Sequence, residues 1–175
     1  MKKYILLILF ICSSSFVCAQ NSDGFFVEDS KIKWVKVFDT DGNVEQIKIS
    51  LIESGIFQEI FLEREDRLTG ISKRMKSLYS EMGYKVLTTD FMAGDVDIWG
   101  KLTIQIREGR YRATIEDIFI QSPLKSHMFG DSPREVELIL LKRDGNLRGR
   151  FNNIYPIWEY TFIKNLTPTI IDDDW

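Results

Sequence analysis

Between residues 98 and 121, apolar and polar positions alternate along two segments joined by Glu108-Gly109. If those two residues form a hairpin turn, Ile106 faces Tyr111, Ile104 faces Ala113 and Leu102 faces Ile115. The other side then pairs Gln105 with Arg112, Thr103 with Thr114 and Lys101 with Glu116. One register places these apolar residues on one face and sets an opposite-charge pair on the other, as an antiparallel ladder with one buried face requires. Glycine at the second turn position supplies the positive φ of a two-residue hairpin loop.

Elsewhere the pattern is less one-sided. "KIKWVKVF" (31–38) and "IFQEIFLERE" (56–65) are rich in β-branched and aromatic residues and predict strands. In 39–55, Ile47, Ile49 and Leu51 alternate, but Val44, Ile47, Leu51 and Ile52 share a helical face. Asp41 or Asn43 as a cap and Gly55 past the end favour the helix. In 71–83, Ile71, Met75, Leu78 and Met82 recur at helical spacing, and irregular strand is the alternative. "SPRE" (132–135) predicts a helix capped by Ser132, with a stripe of Val136, Ile139 and Leu140 ending at Gly145; the competing reading is a hairpin turning at Asp144-Gly145. Tyr155, Trp158, Phe162 and Leu166 define a last helix that Pro156 either begins or kinks.

The first apolar run has a different origin. Lys2 and Lys3, an apolar stretch at 4–11 and small residues at Val17 and Ala19 read as a signal peptide over 1–19, cut before Gln20. The run is too short to span a bilayer, which needs about 20 residues. Bulky Phe16 and Val17 argue against lipidation at Cys18. The expected organisation is a signal peptide at 1–19, a flexible start at 20–30 and one domain over 31–175. The expected location is periplasmic or extracellular. Cys12 and Cys18 are the only cysteines, so a chain cut after Ala19 has neither disulfides nor thiolate chemistry. Cleavage also removes two lysines, taking the formal net charge from −3 to −5. That balance disfavours nucleic acid as a partner.

Candidate chemistry is sparse. "DTDGN" (39–43) has its glycine at the fourth position, not the sixth that a calcium loop needs, and Ser50 where the loop needs glutamate. His127 is the sole histidine and has no nucleophile motif beside it. No metal or cofactor is expected. Arg107, Arg110 and Arg112 are the one dense basic cluster. They read either as solvated residues around a turn or as the tip of an interaction site.

The segments "KIKWVKVFDTD", "LIESGIFQEI" and "REGRYRATIEDI", with a leader ending "CAQ" and a closing "DDDW", resemble a family of exported Bacteroidetes proteins known as a domain of unknown function with a TBP-like fold. The resemblance implies an α+β architecture: an antiparallel sheet, a helix after the first strand and C-terminal helices on one sheet face. It favours helix at 43–54 and, against the periodicity, strand near 67–77. It brings no catalytic residues. A TBP-like sheet grips DNA with apolar wedges and basic residues. Lys101, Thr103, Gln105, Arg112, Thr114 and Glu116 offer a mixed-charge face without an aromatic, so fold does not carry that function here.

The function expected is a non-catalytic extracytoplasmic binding or protein-interaction module, its partner a protein or a cell-envelope component. The rival is an exported hydrolase using carboxylates among Asp90, Asp95, Asp97, Asp172, Asp173 and Asp174. An inhibitor of an exported enzyme is a further alternative.

Overall fold

The computed structural model describes residues 24–122 and 132–168. The elements run β1 (Gly24–Glu28), β2 (Lys31–Asp39), α1 (Val44–Glu53), β3 (Phe57–Arg64), β4 (Arg67–Ser72), β5 (Met75–Lys76), β6 (Asp97–Arg107), β7 (Arg110–Gln121), β8 (Arg134–Glu135), α2 (Glu137–Leu140) and α3 (Phe151–Leu166). The strands form one antiparallel sheet in the order β1-β2-β7-β6-β4-β3, with β5 on β6 and β8 on β7.

The β6–β7 ladder has the register that alternation predicts, from Arg107 opposite Arg110 to Lys101 opposite Glu116. Gly109 takes φ +72 in the turn. Beyond Lys101 the register slips by one, so that Trp99 meets Phe119 and Ile98 meets Ile120. Gly100 permits that bulge, because a Cβ there would lie 2.7 Å from the Glu116 carbonyl oxygen and 2.9 Å from the Ile115 side chain. Opposite it, Asp117 bends through φ +50, a conformation that short polar residues tolerate.

Ile47 and Leu51 of α1 and Phe151, Ile154, Ile157, Trp158, Phe162 and Leu166 of α3 join one apolar cluster with Trp34, Leu68, Leu102, Ile104, Tyr111, Ala113 and Ile115. Both helices therefore cover the same side of the sheet. Helix α1 starts with a reciprocal cap: the Asn43 side chain accepts from the Gln46 N–H, and the Gln46 side chain accepts from the Asn43 N–H, both at 3.0 Å. Two polar tips inside the core are satisfied individually, whereas the buried Trp34 indole N–H has no hydrogen-bond partner among the described residues. The Tyr111 hydroxyl donates to the Leu166 carbonyl at 2.8 Å, and the Trp158 indole N–H donates to the Met92 carbonyl at 2.9 Å.

Four expectations need correction. Residues 71–83 form no helix: Ile71 and Ser72 close β4, Met75 and Lys76 pair with β6, and turns follow. The helix expected from Ser132 is replaced by β8 on β7, a ladder that the Val136 N–H extends to the Ile118 carbonyl, and then by the single turn of α2. The Asp144-Gly145 turn belongs to the competing hairpin reading, closed by a Leu141–Leu147 bridge. The stretch expected to be a flexible start contains β1, whose Phe25 sits among Phe151, Trp158 and Phe162 at 5.3–6.2 Å. Finally, Pro156 lies within α3, and Tyr155 is exposed where Ile154 and Ile157 take the buried positions.

Candidate functional site

The side of the sheet opposite the helices is the open face. Its composition changes along the strands. Cross-strand pairing aligns Val37, Arg112, Gln105, Arg67 and Arg64 in one row, with Arg110 and Arg107 one step nearer the hairpin tip. The next row is Val35, Thr114, Thr103 and Thr69, with the Thr69 and Thr103 hydroxyls 3.4 Å apart. Beyond it the Lys101 ammonium donates to Glu116 at 2.7 Å, and Lys33 bridges Glu116 at 3.5 Å and Glu28 at 2.8 Å. The hydrogen bond from Lys101 is the main reason the Glu116 carboxyl is held below its ordinary value. Past the bulge, Trp99 stacks on Phe119 with 6.1 Å between rings, and the Arg74 guanidinium lies 4.4 Å above Trp99.

The arginine end is built differently from the lysine end. Arg107, Arg110 and Arg112 converge with Val37, Gln105 and Asp66 on a cleft of about 240 Å³. None of these three arginines, nor Arg64 or Arg67, forms an ion pair with a described residue. Asp39 faces Arg110 in the ladder, and Asp66 and Glu108 lie in the turns, yet all three stay exposed and unbridged. The sequence reading found Arg107, Arg110 and Arg112 but missed Arg64 and Arg67. A signal was present: "REDR" (64–67) and "REGR" (107–110) each span a two-residue turn. The fold sets the two tips side by side, joined by the Ile106 N–H donating to the Asp66 carbonyl at 2.8 Å.

Among the described residues, Asp90 of the hydrolase reading stands apart on Arg150, whereas Asp95 and Asp97 both lie near Lys76. Asp90 is gripped by Arg150 at 3.0–3.3 Å and caps the Met92 N–H at 3.0 Å, while Asp95 pairs with Lys76 at 3.2 Å. Asp97 sits in the ladder opposite Gln121 and Lys76. His127, Asp172, Asp173 and Asp174 lie outside the described residues, as do Cys12 and Cys18. Among the described residues no three His, Cys, Asp or Glu side chains gather as cation ligands. The loop after β5 exposes Tyr84, Val86, Leu87 and Phe91, with Leu87 98% accessible, a feature the sequence reading also missed.

No family model matches the chain, and no curated protein matches it. Two solved structures are similar. One is a TBP-like protein from Parabacteroides distasonis, 12% identical, with a TM-score of 0.49 over 80% of this chain and 93% of that one. The other is a DUF4468 family protein from Bacteroides ovatus, also 12% identical, with a TM-score of 0.46 over 81% of this chain and 83% of that one. These are the kinds of protein that the sequence segments resemble. The assignment of an α+β fold rests on the sheet order and on the helices sharing one side. No helix among the described residues is long and apolar enough to cross a membrane.

Proposed function

We propose that this chain is an exported, non-catalytic binding module that engages a protein or cell-envelope component through the arginine end of its open sheet face. One observation carries the reading. Arg107, Arg110 and Arg112 surround a cleft without ion pairs, although lysines farther along the same face are matched to glutamates. A guanidinium offers a rigid fork of donors suited to carboxylate, sulfate or phosphate, and an unmatched group of them on an acidic chain is an attachment point for an anion. The non-catalytic part is supported by Asp90 and Asp95 each being tied to a cation of its own.

The test is capture of partners from a bacterial envelope extract with tagged wild type and with an Arg107→Ala, Arg110→Ala variant. The expected outcome is a partner that salt displaces and that the variant loses while its melting temperature is kept. Identical capture by both proteins would overturn the reading. Export is checked separately: protein recovered from the envelope should begin at Gln20.

A further inference from the structure

We infer that the anion site extends over both hairpin tips and takes a linear acidic glycan, its carboxylate or sulfate groups lying across Arg64, Arg67, Arg107, Arg110 and Arg112. This rests on the binding-module reading above and names its ligand. Registers place Arg64 directly opposite Arg67 and Arg107 directly opposite Arg110. Like charges facing each other across a ladder are destabilising, yet two adjacent hairpins repeat the arrangement, and no described residue forms an ion pair with either, Asp39 facing Arg110 without bridging it. From β3 across β4 and β6 to β7 is three inter-strand steps, roughly 14 Å at about 4.8 Å each. A single sulfate or carboxylate satisfies one or two guanidinium groups, so a span of this length calls for several anionic groups on one chain.

The surroundings select the kind of chain. Strands β4, β6 and β7 are paired on both sides, so around Arg67, Arg107, Arg110 and Arg112 the face offers side chains and no free backbone; only β3, which carries Arg64, is an edge. A peptide laid on it would leave its own amides without partners. A sugar chain brings hydroxyls, which Gln105, Thr103 and Thr114 beside the arginines can match. Single-stranded nucleic acid needs aromatic platforms for its bases. The stacked pair on this face lies beyond the lysine–glutamate network, and its Trp99 is only 9% exposed. The negative net charge of the chain does not oppose a local site, because exposed charges are screened within about 8–10 Å at physiological salt.

The experiment is calorimetric titration of the full mature chain with hexagalacturonate, digalacturonate, hexaglutamate, inorganic sulfate and a DNA duplex, at low and high salt. Hexagalacturonate should bind most tightly and lose affinity in high salt. Arg64→Ala, Arg67→Ala and Arg107→Ala, Arg110→Ala variants should each weaken it by roughly tenfold, the equivalent of one or two charge-assisted contacts. Arg64→Lys, Arg67→Lys keeps the charge without the fork and should fall between, which serves if the alanine variant does not fold. Weakening by the Arg107, Arg110 variant alone would overturn the two-tip site and leave the binding module standing. Tighter binding of hexaglutamate or DNA would overturn the glycan while retaining an anion site. No binding of any probe, together with unchanged capture by the Arg107, Arg110 variant, would overturn both.

Discussion

The two ends of the open face share a backbone, a core beneath and a register, yet they treat charge in opposite ways. At the lysine end every charge has an answer: Lys33 lies between Glu28 and Glu116, and Glu116 also accepts from Lys101. At the arginine end five cations stand on neighbouring strands with acids nearby but not on them. A solvated face that served only to keep the protein in water would have no reason to differ along its length. The contrast separates charge that closes on itself from charge left open to something outside the chain.

The largest effect should come from the residue beneath both ends. Ile104 is fully buried between Leu68 and Ala113, so Ile104→Asp would place a carboxylate in the core without a partner. The expected loss exceeds about 3 kcal/mol or abolishes folding, read by urea denaturation. Thr103→Asp, one residue along on the open face, should cost much less; equal losses would mean that the two faces are not distinct. At the paired end, Glu116→Ala strands two lysines and should lower stability by about 0.5–1 kcal/mol in the same assay.

The paired end should also respond to acid. Glu116 is held below its ordinary value, chiefly by Lys101 and then by Lys33. Its stabilisation is complete above the value it has in the unfolded chain and disappears as pH falls through the lower folded value. Wild type should therefore lose more stability than Glu116→Gln on acidification through the carboxylate range, a difference below about 1 kcal/mol. Parallel pH profiles would show that the network contributes nothing. The smallest change belongs to the arginine end. Arg107→Ala, Arg110→Ala removes a like-charge pair and should alter unfolding stability by no more than about 0.5 kcal/mol, toward gain. A clear loss would show those arginines to be structural, which would erase the contrast between the ends.

Legibility in the sequence followed the amount of local pattern. The register from Leu102 to Ile115 was readable because a one-residue slip would move every apolar side chain to the wrong face. The bulge at Gly100 was not, since it is imposed by the close approach of the Glu116 carbonyl on another strand. The spacing of Ile71, Met75, Leu78 and Met82 imitates a helix, but β4 is held by its ladder to β6 and β5 by its own, and long-range pairing overrides local periodicity. The capping signal at Ser132 gave way for the same reason, to pairing of Arg134 and Glu135 with β7. In the candidate site, proximity in sequence revealed Arg107, Arg110 and Arg112. Arg64 and Arg67 join them only because β4 returns beside β6, although the repeated Arg-Glu-x-Arg turn could have been noticed.

The pairing of β2 with β7 has a consequence in time as well as space. Trp34 meets Ile115 in the middle of the sheet, about 80 residues along the chain, and every strand between them hangs on one side of that junction. Loop closure of that length comes before any of the central contacts can reward it, which places folding in the slower range typical of sheets rich in non-local pairing. A ribosome releasing this chain from its N-terminus would deliver β1 to β6 before β7, the second partner of β2, exists. The β1–β2 and β3–β4 hairpins can pair early, but the two halves of the sheet join only once Arg110 to Ile115 are free.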